Sequence, residues 1–342
     1  IFSSPQAIVK NEVWCELIDI LIANERLSMV CVDEVHLFAH FGMTFRKKFQ
    51  QLENKLFRKL RIGESRTQTK VPILFMTATC TASIVDRVEG MTCLSFNRVD
   101  NVFWPCPLEM GHRHVHLDVV YTTNPIPAFQ KQVLPILKSC HVSKFILYTN
   151  TRRAVKRETP KLAAWIDKHG LKSDLLMIIG TLQKEQKFYH IRKFTQSNAP
   201  NAAILDTCSE NARPFNPQIL TATSGAANAG IDDPEVFGVC RTEFPPSILD
   251  VKQEKGRAGR RPTANSATDW YLLCISLESI VILLKRLWDT SVKEDSYFES
   301  QERDIRAAMR LFVLPTHCLQ ASLEKKLSNP YCDTGELPDA CG

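Results

Sequence analysis

Four short clusters of residues carry side chains whose types and spacing could do chemistry. The first is Val32-Asp33-Glu34-Val35-His36. Two adjacent carboxylates at the end of an apolar run are costly to bury without a cation, and a magnesium ion held through water by Asp33 would neutralise them. Glu34 could then polarise a water attacking a terminal phosphate. For so short a motif a solvated strand-to-loop turn is the alternative. The second cluster, Thr77-Ala78-Thr79, offers hydroxyls that can hydrogen-bond the carboxylates and His36, or simply cap a strand end. The third runs from Thr221 to Asp232 through Thr223, Gly225 and Gly230. Its small residues allow close approach of a backbone or a nucleotide, and Asp232 can accept from a ribose hydroxyl; a tight strand-to-helix turn is the alternative. The fourth is Gln253-Glu254-Lys255-Gly256-Arg257-Ala258-Gly259-Arg260-Arg261. Arg257 and Arg260 would share one face of a helix, and planar guanidinium groups suit phosphate recognition; a basic surface loop is the alternative.

These clusters need a scaffold that delivers them, and the hydrophobic pattern supplies one. Glu12 to Ala23 has helical spacing, with Val13, Leu17, Ile20 and Leu21 as its apolar face. Leu27 to Val32 and Val71 to Met76 are short apolar runs that fit buried parallel strands, with Phe45 to Leu60 helical between them. A third strand is expected from Val115 to Tyr121. The stretch around Trp104-Pro105-Cys106-Pro107 and Gly111 reads as a lobe boundary. The alternation then restarts with strands at Lys144 to Thr149, Leu175 to Ile179, Ile219 to Thr223 and Gly238 to Arg241. Helices are expected at Thr159 to Lys168 and Lys184 to Phe194, with an irregular insertion from Ser197 to Pro217. Trp270 to Leu284 is apolar but shorter than the roughly 20 residues a bilayer demands, so it reads as a buried helix and no membrane association is expected. Two successive strand-helix blocks imply an α/β protein with two doubly wound lobes, ligands being expected at the carboxyl ends of strands and in the cleft between lobes.

Each cluster follows a predicted strand, and the order is carboxylate pair, T-A-T turn, lobe boundary, small-residue loop, arginine loop. That set resembles the superfamily 2 helicases, which carry DExH, S/T-A-T and Q-x-x-G-R-x-G-R motifs. More narrowly it resembles the RecQ branch, which follows DExH with an aromatic-rich loop of pattern C-I-S-Q-W-G-H-D-F-R. Here Phe41, Gly42 and Phe45-Arg46 match that loop, while the family's Trp, His and Asp are absent. Phe244-Pro245-Pro246-Ser247 matches the RecQ approach to the arginine motif, and Phe145 to Arg152 resembles motif IV. The similarity covers most of residues 1–262.

The resemblance implies two RecA-like lobes, the first truncated (residues 1–108 and 109–275), and the start of a helical zinc-binding region in 276–342. It implies ATP-dependent 3′ to 5′ DNA unwinding. Asp33 would hold magnesium, Glu34 would be the catalytic base, and His36 with Thr77 and Thr79 would couple hydrolysis to DNA. Gly230 and Asp232 would meet the nucleotide, and Gln253, Arg257 and Arg260 would contact its γ-phosphate. Phe41, Phe45, Arg46, Asn150, Thr151 and Thr223, again with Thr77 and Thr79, would meet single-stranded or duplex DNA. Cys318 and Cys341, with Cys332 as a spare, would be zinc ligands in a longer parent; unrelated thiols are the alternative. A nuclear or chromosomal site is a family-level expectation. No G-x-x-x-x-G-K-[ST] occurs, and Phe2-Ser3-Ser4-Pro5-Gln6-Ala7 resembles a step that follows that loop in the family. The chain is therefore expected to start inside the first lobe and, by itself, to bind ATP poorly and hydrolyse little. Two other readings stay open: a superfamily 2 RNA helicase or translocase, and an inactive helicase-derived fragment that binds nucleic acid.

Composition bounds these readings. The 342 residues are 44% hydrophobic and 23% charged, which excludes a wholly disordered chain. A net charge of +6 is compatible with a polyanionic partner without requiring one. The 12 cysteines are scattered, with no Cys-x-x-Cys pair, which points to an intracellular, reducing location over a disulfide framework or secretion. His112, His114 and His116 would share one strand face, more in keeping with an exposed strand than with a metal site. Arg58-Lys59-Leu60-Arg61 is expected to be a solvated helix face.

Overall fold

The computed structural model describes residues 2–37, 51–67, 70–77, 80, 82–97, 102, 115–139, 144–171, 173–195, 217–223, 226, 231–260, 269–291, 295–313, 319 and 323. They divide into two compact units, one within residues 1–110 together with 321–342 and one within 111–320.

In the first unit, α1 (Pro5–Lys10) and α2 (Glu12–Ala23) are capped by Ser4 and Asn11, whose side chains accept from the amides of Ala7 and Val13. Strand β1 (Val30–Val32) pairs in parallel with β2 (Ile73–Phe75), Val30 lying opposite Ile73. A π-helical turn (Glu53–Phe57) runs directly into α3 (Arg58–Thr67), and α4 (Ala82–Thr92) follows β2. Phe57, Leu60, Ile84, Val85 and Val88 are buried here. The face of α2 differs from expectation. Cys15 and Ile18 are buried, while Val13 and Ile20 are exposed. The reason is the partner. Helix α3 presents Gly63 so closely that a Cβ there would meet Ile22 Cγ2 at 2.3 Å, and this selects the stripe through residues 15, 18 and 22. Nor is the Arg58 to Arg61 run simply solvated. Lys59 pairs with Asp19 on α2 at 2.6 Å, and Arg61 donates to the Thr92 carbonyl at 2.7 Å and pairs with Glu53.

The second unit is built on six parallel strands. Along the chain they are β3 (His116–Tyr121), β4 (Lys144–Thr149), β5 (Asp174–Ile178), β6 (Gln218–Thr223), β7 (Val236–Arg241) and β8 (Trp270–Ile275). In space the order is β3-β8-β7-β4-β6-β5. Helices α5 (Pro125–Ser139), α6 (Arg152–Lys168), α7 (Lys184–Thr195) and α8 (Ile248–Lys255) fall between strands; α9 (Leu277–Ser291) and α10 (Asp295–Phe312) follow the last. Every residue of β4, β7 and β8 is buried, as expected of parallel strands covered on both faces. The core centres on Phe129, Phe145 and Trp270, with the Phe145 and Trp270 rings stacked 6.0 Å apart. Gly238 of β7 lies against the Trp270 indole, where no Cβ fits.

The expected α/β class with a parallel sheet is the one observed. Two boundaries are corrected. The apolar run Trp270 to Leu284 is a strand followed by a helix, broken at Ser276, whose hydroxyl accepts from the Ser279 amide at 3.0 Å and starts α9. Helix α6 begins at Arg152 rather than Thr159, because Thr151 caps it and the helix tolerates Pro160 within it. No helix among the described residues is long and apolar enough to cross a membrane.

Candidate functional site

In the first unit, β1 ends in Asp33 and Glu34, and the backbone is pinned to β2 on both sides. Met76 donates its amide to the Val32 carbonyl at 2.8 Å, and Val35 donates to the Met76 carbonyl at 2.9 Å. Between these bonds Glu34 adopts φ +53°, a left-handed conformation that costs an ordinary L-residue about 1–2 kcal/mol. Asp33 Oδ1 steadies it by accepting from the Glu34 amide at 2.8 Å. The turn carries the Glu34 carboxylate, half exposed, to the buried imidazole of His36, with Oε2 3.2 Å from Nδ1. The same Nδ1 lies 2.9 Å from Thr77 Oγ1 at the end of β2. Three residues from two predicted clusters thus meet at one point: Glu34, His36 and Thr77.

In the second unit, the small-residue loop and the arginine loop also meet. Helix α8 stops at Lys255, with Gly256 as its cap, so Arg257 and Arg260 follow the helix instead of sharing its face. Gly259, at φ +69°, turns the chain so that its amide reaches the Val236 carbonyl at the amino end of β7. Arg257 donates to the Ile231 carbonyl, and Arg260 pairs with Asp232 while donating to the Gly256 carbonyl at 2.7 Å. The Asp232 side chain is 83% exposed. Its neighbour Asp233 is buried and paired with Lys144, which also donates to the Phe194 carbonyl at 2.6 Å. One acidic residue therefore faces solvent beside the arginines and the next anchors the loop. This cluster sits at the amino end of β7, not at the carboxyl ends of strands where ligands were expected.

Asn150 and Thr151 do stand at a carboxyl end, that of β4, but their polar groups are engaged internally. Thr151 Oγ1 accepts from the Ala154 amide at 3.0 Å. Asn150 donates its side-chain amide to the Phe244 carbonyl at 2.8 Å, its backbone amide to Glu243, and accepts from Arg241. Thr223, half-buried, lies opposite Thr149 at the end of β6.

A buried polar network here has no counterpart in the motif reading. Arg241, the last residue of β7, is completely buried and paired with the equally buried Glu254 of α8. It donates to the Glu243 carbonyl at 3.1 Å as well as to Asn150. Tyr271 of β8 donates to the second oxygen of Glu254 at 2.9 Å. Burial works against the charge of Arg241, yet Glu254, Tyr271 and Asp250 hold its pKa above the ordinary value. Burial first, and Glu254 second, push the Tyr148 and Tyr271 phenols up. Tyr148 is fully buried, and its hydroxyl has no hydrogen-bond partner among the described residues. The available sequence signal was Glu254 alone, inside the arginine cluster; Arg241, Tyr148 and Tyr271 are placed by strand register.

Comparison with known proteins gives these motifs a context. No protein-family model matches the chain. A Caenorhabditis briggsae protein named as ATP-dependent DNA helicase Q1 is 26% identical over 263 residues, covering 76% of this chain and 36% of that protein. The ATP-dependent DNA helicase RecQ of a Synechocystis strain is 25% identical over 262 residues, covering 76% of this chain and 46% of its own. The chain is similar to RecQ-type helicases over about three quarters of its length. It spans less than half the length of these helicase relatives. A solved helicase-fold neighbour, Mss116p bound to single-stranded RNA and AMP-PNP, superposes with a TM-score of 0.51 at 13% identity over 95% of this chain and 67% of its own, a likeness of fold. Several helicase-type assignments lie outside the described residues: Phe41, Phe45 and Arg46 of the aromatic loop, Thr79, Gly230, His112 and His114, and the cysteines Cys318, Cys332 and Cys341. Among the described residues no group of three metal-ligating side chains occurs.

Proposed function

We propose that this chain forms part of the motor of an ATP-dependent DNA helicase of RecQ type, translocating 3′ to 5′. The observation that carries the reading is the meeting of Glu34, His36 and Thr77, because it joins the DExH carboxylate to the T-A-T hydroxyl in a single hydrogen-bonded set. In this reading Glu34 takes a proton from the water that attacks the γ-phosphate, and His36 orients its carboxylate. Thr77, through His36, makes that orientation sensitive to what the end of β2 touches. Asp232, Arg257 and Arg260 form a second nucleotide-facing group, in which the carboxylate suits a ribose hydroxyl and the guanidinium groups suit phosphate oxygens. Asp33 has the right chemistry for magnesium, since one or two carboxylates beside a triphosphate are what that ion takes. Bound there, the ion would neutralise charge on the phosphates. Thr223 and the aromatic loop containing Phe41, Phe45 and Arg46 are assigned to single-stranded DNA. Cys318 and Cys341 are assigned to zinc in the longer parent.

The test is Glu34→Gln in the natural protein that carries these residues. ATP turnover should fall about 10²–10⁴-fold while nucleotide affinity stays within about threefold. Normal turnover in that variant removes Glu34 from the mechanism. Stimulation of the wild type by single-stranded DNA but not by RNA is expected. Equal stimulation favours an RNA helicase or translocase, and binding without turnover favours an inactive nucleic-acid-binding relative.

A further inference from the structure

We infer that Arg241 is a positioning residue through which the strand end bearing Asn150 and the loop bearing Arg257 and Arg260 hold one common arrangement. The inference rests on the nucleotide- and nucleic-acid-binding reading above. Arg241 closes β7 and is wholly enclosed. One edge of its guanidinium grips Asn150, the first residue after β4, and another grips Glu254 in the last turn of α8. Glu254 lies three residues before Arg257, and its carbonyl accepts the Arg257 amide at 3.0 Å. The path is short: Asn150, Arg241, Glu254, then the backbone of the arginine loop. Tyr271 fixes the far oxygen of Glu254, so the carboxylate cannot rotate without breaking a bond.

A planar fork with several fixed donors suits this task better than a point charge does. A buried, fully bonded ion pair adds little net stability over an apolar replacement, but it specifies geometry, because every alternative leaves a charge unpaired. A shift of the β4 end at Asn150, caused by nucleic acid bound beside it, must therefore be followed by Arg241 and, through Glu254, by the loop.

The experiment measures coupling between two ligands on the natural protein that carries these residues, with a fluorescein-labelled oligothymidine and a fluorescent ADP as probes. In the wild type, saturating oligothymidine should change ADP affinity at least about fivefold. Arg241→Lys keeps the charge and loses the fork. Tyr271→Phe loses one bond to Glu254 and almost no volume. Each should bind either probe alone within threefold of wild type, while the coupling factor drops below twofold. Thermal melts establish that both variants are folded. Coupling retained in both variants overturns the inference and leaves the functional reading standing. Equal losses of coupling and of both separate affinities also overturn it, since that is the signature of general damage. A wild-type natural protein that binds neither probe overturns the functional reading and the inference with it.

Discussion

Replacing Gly238 by Ala tests the packing on which β7 depends. A Cβ on Gly238 would stand 2.3 Å from Trp270 Cε2 and 2.4 Å from Cζ2. Carbon atoms in contact settle at about 3.5–4.0 Å, so the indole or the strand must move by more than an ångström. The indole has nowhere to go. It stacks on Phe145 at 6.0 Å and meets Phe129 edge-on at 6.4 Å, and both rings are fully buried. Overpacking of this kind costs about 1–3 kcal/mol, and the confinement argues for the upper end. Alanine returns about 0.5–1 kcal/mol through its smaller loss of chain entropy. The net expectation is a destabilisation of about 2 kcal/mol, read as a lower urea midpoint for the second unit by circular dichroism. The decisive control is the same substitution in a Trp270→Leu background, where the clash is gone and the cost should fall below about 0.5 kcal/mol. An equal cost in both backgrounds would refute the reasoning, as would a wild-type-like midpoint for the single variant.

Glu34→Asn should leave stability unchanged or raise it by up to about 1 kcal/mol, because asparagine tolerates the left-handed backbone better, while ATP turnover is lost; chemical denaturation beside a turnover assay checks both. Asp233→Asn leaves Lys144 charged and buried without its carboxylate, and should cost about 3–5 kcal/mol, whereas Asp232→Asn, at an exposed pair, should cost no more than about 1 kcal/mol. Tyr148, Tyr271 and Cys240 are all held neutral by burial, with pKa values raised above the ordinary 10.0 for the phenols and 9.0 for the thiol. Above those ordinary values the unfolded chain has lost protons that the folded chain keeps, so stability falls as pH rises and is untouched by these groups below about pH 9. Tyr148→Phe should reduce the steepness of that alkaline loss and, by removing a buried hydroxyl with no partner among the described residues, raise stability near neutrality by about 1 kcal/mol.

Much of the fold was legible because parallel strands announce themselves. Lys144 to Thr149 was bounded correctly, since a fully buried run ends sharply at Asn150. Where two readings shared one pattern, the sequence could not choose. The run from Trp270 to Leu284 satisfied a buried helix as well as a strand and a helix, and only the hydroxyl pair at Ser276 and Ser279 breaks it. Both stripes of α2 are apolar, and the choice between them belongs to Gly63, which sits 41 residues after Ile22. The same division holds for the site. Glu34, His36, Thr77, Asp232, Arg257 and Arg260 could be singled out because their chemistry is local in sequence. The Arg241, Glu254 and Tyr271 network could not, because it depends on β7 meeting β8 with Val239 opposite Tyr271 and on the rotation of α8 above them. Asn150 shows what a motif leaves out: the resemblance to motif IV implied a nucleic-acid contact, and only the fold reveals that Glu243, Phe244 and Arg241 bond its polar groups.

The strand order has a consequence for how the molecule is made. β3 is the first strand of its unit to leave the ribosome and lies at the rim of the sheet, where its neighbour is β8, the last strand to be synthesised. At about 5–20 residues per second, the intervening chain takes roughly seven to thirty seconds to emerge. During that interval β4 and β5 can be joined through β6, and β7 can add to β4, while β3 waits with its backbone groups unsatisfied, a template for wrong partners. Biogenesis of this unit therefore ends where it began, and anything that slows arrival of the final strand should show up as aggregation of nascent chains before it shows up as a loss of folded stability.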